Sequence, residues 1–300
     1  MGQTNPAALA AAGPNEGLAA RAVMVAAGRG SYMVMRPHLE IFSQDLFIPP
    51  TVSMRLTLYQ ARNPFLLKTW ERDGAGLIAQ INYRMEVMEC VFVTKTTEVF
   101  PHLEVTHEAL VEKGDNMRFY TDKVNLFQLA LPAGQLRYHF ADVLQTPLPE
   151  RMLVMLVRQQ ALNGNYQQNP FDFHHHDLNY VAIKLNNELH NGEAFTPDFQ
   201  VANRKFHDEY KSMYEVMGRL LSNQSVGVSY SDYPAGYTIF GFDLTPDGSA
   251  GACPNLPTEG KITIEFGFRV APADPLVAIV YVQGDGELQI ARRGEVLVAQ

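Results

Sequence analysis

From about residue 120 to its end, this chain repeats short stretches in which apolar and polar residues alternate, and proline or glycine breaks the pattern at nearly every step. The stretches are 123–131, 136–141, 152–158, 178–185, 237–244, 261–270, 275–283 and 287–299, with Pro132, Gly134, Pro147 and Pro149 among the breakers. Alternation of this kind is the signature of strands with one face in a core and one outside. Few strand–helix–strand units can be drawn between them, so the pattern predicts an antiparallel β-sandwich and argues against an α/β enzyme fold. Gly284-Asp285-Gly286 has the composition of a tight turn and predicts that 275–283 and 287–299 form a hairpin.

Upstream, 82–96 is apolar on both faces, with Tyr83, Met85, Val87, Val91 and Val93 on one and Met88, Cys90 and Phe92 on the other. That is expected of a strand inside the sandwich. With it the chain has about nine strands, close to the eight of a jelly roll, in which helices occupy excursions between strands. One amphipathic helix is expected within 197–221, where Phe206, Tyr210, Met213, Tyr214, Met217, Leu220 and Leu221 share a face. A shorter one is expected over 101–113, opened by Pro101 and closed by Gly114.

Before residue 82 the chain divides again. Residues 1–30, rich in Ala and Gly, are expected to be a flexible arm. Two alternating stretches, 33–42 and 51–60, are separated by Pro49 and Pro50, and a linker with Asn63, Pro64, Asp73, Gly74 and Gly76 follows. The expected organisation is an arm (1–30), the last strands of one β domain with a linker (31–77), and a complete second domain (78–300).

Composition narrows the function. Charged residues are only 19% of the 300, below the usual quarter or so, which suits a surface partly covered by neighbours. A net charge of −8 is the wrong sign for broad binding to nucleic acid or an anionic membrane. Two cysteines, Cys90 and Cys253, are too few for a disulfide framework or a cysteine-based zinc site. No apolar run is long enough to span a membrane, and the N-terminal stretch lacks the basic start of a signal peptide, so the chain is expected to fold in the cytosol or nucleus.

Candidate chemistry is sparse. His174, His175, His176 and Asp177 are the side chains that zinc or iron would choose. On an extended strand only His174 and His176 would share a face, and Tyr180 and Val181 stand where a metal-binding jelly-roll enzyme of the cupin type would place its glutamate. A polar strand edge at a turn is the favoured reading, with His174 and His176 kept as weak metal candidates. His102 and His107 are five apart and do not share a helix face. Asp243, Asp247 and Gly248 lack the remaining ligands of a calcium loop. No phosphate loop follows Gly28-Arg29-Gly30, and no nucleophile elbow occurs. Tyr230, Tyr233, Tyr237, Phe240 and Phe242 could stack bases or sugars, but without nearby cations core packing is favoured. No catalytic residue and no cofactor is expected.

One stretch points to a family. Residues 231–247, SDYPAGYTIFGFDLTPD, resemble a motif near the C-terminus of the double jelly-roll major capsid proteins encoded by Polinton-like elements of adintovirus or adomavirus type, capsid-like proteins found in animal genomes. The similarity continues through 148–187, with its Leu-Pro, Asn-Gly and Asn-Pro-Phe turns, and through 260–270 and 275–300. Residues 37–58 resemble the segment that ends the family's first jelly roll, and 15–21 fit the same stretch. The resemblance implies a structural protein without cofactor or catalytic residue. It implies a homotrimer that meets neighbouring capsomers and penton or minor capsid proteins in an icosahedral virion, with synthesis in the host cytoplasm and assembly there or in the nucleus. Family members begin with a full first jelly roll, so the chain is expected to be a C-terminal part, a truncated gene or an endogenised copy.

Two other readings remain. One is a β-sandwich glycan-binding or attachment module that uses loops 163–169 and 230–237, and a glycan array separates it. The other is a metal-dependent jelly-roll enzyme, which metal analysis separates.

Overall fold

The computed structural model describes residues 23–25, 28–42, 44–50, 52–68, 84–145, 147–249, 256, 259–291 and 295–299. The arm expected over 1–30 and the linker expected over 62–78 lie largely outside these. The chain divides into two compact units. The first contains Val124–Gly284, Ala61–Arg84 and Met1–Ser31, and the second Tyr32–Gln60, Met85–Lys123 and Asp285–Gln300.

Among the described residues nine strands are formed: β1 (Met117–Leu131), β2 (Arg137–Gln145), β3 (Arg151–Arg158), β4 (Leu178–Leu185), β5 (Glu188–Leu189), β6 (Ile239–Asp243), β7 (Lys261–Phe268), β8 (Leu276–Ile290) and β9 (Val296–Ala299). One sheet has the order β1-β8-β3-β6, with β9 paired to β8, and the other β2-β7-β4-β5. The pairs β2–β7, β3–β6, β3–β8, β4–β5, β4–β7 and β8–β9 are antiparallel. Folding the first eight strands in half, first against last, generates the neighbours β1/β8, β2/β7, β3/β6 and β4/β5, and these pairs fall alternately in the two sheets. This is a jelly roll.

Side chains of period two fill the space between the sheets of the first unit. Met152, Val154 and Leu156 of β3 stand opposite Val282, Val280 and Ala278 of β8, and the core includes all six. Ile262, Ile264, Phe266 and Phe268 of β7 supply the facing layer with Val181 and Ile183 of β4. Burying each of these side chains contributes about 1.5–3 kcal/mol. Outside β3, Val157 packs with Ala161 and Val277 under the short helix α3, Gln159–Gly164. Further helices are α1 (Asn63–Leu66), α2 (Pro101–Glu112) and α4 (His207–Val216).

Helix α4 is shorter than the 197–221 expected, because local hydrogen bonds compete with helix at both ends. Asp198 and Lys205 exchange backbone hydrogen bonds at 2.6 and 2.8 Å, and Arg204 has a φ of +45°, so the helix starts only after Phe206. At the other end Gly218, at φ +62°, donates to the Glu215 carbonyl. The helix lies directly on β6 at Gly241, where a Cβ would meet the Ser212 carbonyl oxygen at 2.8 Å. Any side chain there would push the helix off the sheet.

Two expectations fail in an instructive way. Gly284-Asp285-Gly286 is not a turn, since β8 runs straight through it. Gly286 permits a close approach instead, since a Cβ there would lie 3.0 Å from the Thr121 carbonyl oxygen, whereas one on Gly284 would meet Pro149 Cα at 3.4 Å, an ordinary contact. In the second unit, residues 85–100 form no sheet pairing and do not enter a core, with Met88 89% and Val93 82% exposed. Residues 33–39 and 52–60 likewise form no strand. The one regular element beside them is a turn of 3-10 helix, Glu40–Phe42. Phe42 meets Phe92 at 5.5 Å, and Gln60 Nε2 donates to the Met85 carbonyl at 2.9 Å, but Tyr32, Val34, Met35 and Tyr59 remain exposed.

Candidate functional site

A polar grouping occupies the connection between α3 and β4 in the first unit. Gly164 ends α3 at φ +104°, with Pro64 and Phe65 packed against it. Lys68 Nζ ties the two segments by donating to the carbonyls of Pro64 (3.0 Å) and Asn165 (2.8 Å). Burial lowers its pKa to about 8. Two side-chain turns follow, Asn165 Oδ1 accepting the Gln167 N–H and Asn169 Oδ1 the Phe171 N–H, as asparagine does in irregular backbone.

The three histidines then form a tight turn, not the extended strand considered from sequence. His176 and Asp177 both have left-handed φ, +49° and +55°. The His176 N–H donates to His174 Nδ1 (3.1 Å) and the Asp177 N–H to His175 Nδ1 (3.0 Å). With Nδ1 accepting, each of the rings His174 and His175 carries its proton on Nε2. His175 stacks between His174 (4.3 Å) and Phe199 (4.2 Å). From Phe199 the ring contacts continue through Phe206 to Tyr230, Tyr233 and Tyr210. Tyr233 is fully buried, and Phe240 and Phe242 belong to the core, so these aromatics pack the interior and offer no stacking platform.

Burial keeps the histidines neutral. It lowers His175 to about 4, helped by His174, and His176 to about 3, helped by His174, Arg158 and His175. Burial also lowers His174, against the pull of Asp172, and raises Asp172. A cavity of about 410 Å3 opens beside the turn, lined by the polar residues Arg158, Gln168, Asn169, Asp172, His174 and His176 and by apolar ones that include Val270, Pro272 and Leu276. Two buried atoms in this wall, Gln168 Oε1 and His176 Nε2, have no hydrogen-bond partner.

Among the described residues no three His, Cys, Asp or Glu side chains are grouped to hold a metal ion. The rings of His174 and His176 lie 5.2 Å apart, and the Nδ1 of His174 is already engaged. Asp243 and Asp247 act as turn caps: Asp243 Oδ1 accepts from the Thr245 N–H and hydroxyl, and Asp247 Oδ1 from the Ser249 N–H. His102 and His107 sit on the exposed helix α2. Sequence reasoning marked the histidines and the 163–169 loop but not Arg158, which ends β3, or the 270–274 segment, which carries few polar side chains to flag it.

A second polar group covers the outer face of β7. Glu265 accepts from Lys184 Nζ at 2.6 Å and meets His139 Nδ1 at 3.0 Å. Burial pushes the Glu265 carboxyl upward, but the hydrogen bonds from Lys184 and His139 outweigh it and hold the group below its usual range.

No family model matches the chain. It is similar to uncharacterized protein F54H12.2 of Caenorhabditis elegans, 21% identical over 253 residues, which cover 82% of this chain and 58% of that protein. The chain thus spans little more than half the length of that relative. Among solved structures, the Sputnik virophage overlaps 61% of this chain and 39% of its own at 13% identity and a TM-score of 0.39. PBCV-1 VP54, fitted into a reconstruction of Sputnik, overlaps 62% and 52% at 11% identity and a TM-score of 0.37. The mavirus major capsid protein overlaps 63% and 42% at 8% identity and a TM-score of 0.35.

Proposed function

We propose that this chain is a structural subunit of an icosahedral capsid, the C-terminal part of a double jelly-roll major capsid protein that works as a homotrimer and meets neighbouring capsomers in a virion. The strand order β1-β8-β3-β6 over β2-β7-β4-β5 carries the reading, because it is the order such a shell domain requires and the motif at 231–247 lies within it, forming β6. The second unit supplies what a shell subunit needs besides rigidity. Its apolar side chains at Met88, Val91, Val93, Val99 and Phe100 are exposed, and apolar surface on this scale marks association. In this reading residues 31–77 end a first jelly roll, the sandwich is the second, and penton or minor capsid proteins are further partners. Size-exclusion chromatography with light scattering, followed by negative-stain microscopy, tests the proposal. Particles of three times the monomer mass with a pseudo-hexagonal outline are expected, and a strictly monomeric protein at tens of micromolar sinks it.

A further inference from the structure

We propose that the histidine turn is a proton-operated latch: while its rings are neutral it pins the connection between α3 and β4 to the sandwich, and mild acid releases it. The geometry of the turn admits only neutral rings. His174 Nδ1 and His175 Nδ1 each accept a backbone N–H, from His176 and Asp177, and these two bonds close the turn. A second proton on either ring can go only to that nitrogen, where it would face the N–H now accepted there, so the bond and the turn are lost together. His176 Nε2 is buried without a partner, and an imidazolium would bury a charged N–H there with no acceptor.

The charged groups around the turn do not supply the missing acceptor. Asp177 Oδ1 lies 3.8 Å from His175 Nδ1, beyond hydrogen-bond reach, and Asp172 favours charge only on His174, the most exposed of the three rings. At the end of β3, Arg158 opposes charge on His174 and His176. After β7, Asp274 lines the cleft and the Arg269 guanidinium is paired with Asp198 at 2.9 Å. The face of Phe199 covers His175. Release therefore undoes more than the turn. The His175 carbonyl holds the Leu178 N–H at the start of β4, the Asp177 carbonyl holds the Arg269 N–H, and the Phe199 ring packs on the core, so opening frees both attachments and uncovers that ring. The latch belongs to the sandwich and operates in a monomer as in a trimer, so it does not depend on the shell reading.

An opened turn binds protons at the ordinary histidine value of 6.5, a closed one only at about 4 on His175 and about 3 on His176. Opening thus takes up protons and is favoured as pH falls below 6.5, by about 30-fold for each of these two rings between pH 7.5 and 5. Hydrogen exchange read by mass spectrometry on the full chain at pH 7.5, 6.5, 5.5 and 5, with intrinsic rates divided out, measures this. Protection at residues 174–178 should fall by about a hundredfold or more across the series while the amides of β3 and β7 keep theirs. H176N places at φ +49° a residue that tolerates the left-handed region and cannot be charged, so its fall should be about 30-fold smaller. Thermal melting at pH 7.5 verifies that H176N folds, and if it does not, the series on the unsubstituted chain decides alone. Protection at 174–178 that is constant with pH, that falls only in step with β3 and β7, or that falls as steeply in H176N overturns the proposal.

Discussion

Among the described residues Glu209 is the most heavily buried carboxylate of the first unit, in the first turn of α4, where the helix N-terminus favours charge. Burial nevertheless raises its pKa to about 7, with Asp208 adding to the rise and Lys205 opposing it. Tyr233 lies close enough to feel it. A carboxyl with a raised folded pKa stabilises the fold fully below its unfolded value of 4.5 and loses that contribution as pH climbs through about 7. The histidine turn works the other way: its contribution is present above 6.5 and is lost as pH falls toward about 4. Between 4.5 and 6.5 the three lowered histidines outnumber the two raised carboxyls, Glu209 and Asp172, so stability rises with pH there and declines above it, with a maximum near pH 6.5. Urea denaturation across pH 4.5–8 measures this. Glu209→Gln should remove the alkaline decline and gain on the order of 1–3 kcal/mol at pH 8 relative to the unsubstituted chain.

Helix α4 and strand β8 are held by contacts that only glycine permits. Gly241→Ala places a methyl group against the Ser212 carbonyl and should cost about 1–3 kcal/mol, read as a lower melting temperature with the sheet's circular dichroism retained. Gly286→Val should likewise destabilise, because its side chain meets the Thr121 carbonyl and the neighbouring Lys123 Cβ. If Gly284-Asp285-Gly286 were a turn, hydrogen exchange at residues 284–288 of the unsubstituted chain would be fast; slow exchange is expected, because β8 continues through it. Here lies the limit of what the sequence could disclose. Period-two alternation located the strands from 123 to 283 closely, since it records burial directly, and 178–185 coincides with β4. A glycine in sequence does not distinguish a bend from a close approach, which depends on a neighbour far along the chain. The two-residue β5 is too short for any period, and the cleft draws on 158, 168–177 and 270–276, segments that only the roll brings together.

For the whole molecule, the contrast between the units is the main consequence. The sandwich is filled, whereas 87–100 exposes its apolar side chains and joins no sheet, as an extended segment would if it paired only within an assembly. Replacing Val91 and Val93 together by Asp should shift the protein toward monomer in sedimentation velocity while leaving the sandwich's melting transition unchanged. Each copy carries a net charge of −8, so association of the unsubstituted chain should strengthen as salt rises from about 10 mM to 150 mM and the Debye length shortens from roughly 30 to 8 Å. Cys90 lies within this segment with its thiol exposed. Its alkylation rate is therefore a built-in occupancy gauge: fast while 87–100 is bare, slow once another surface covers it, and readable by mass spectrometry without an added label.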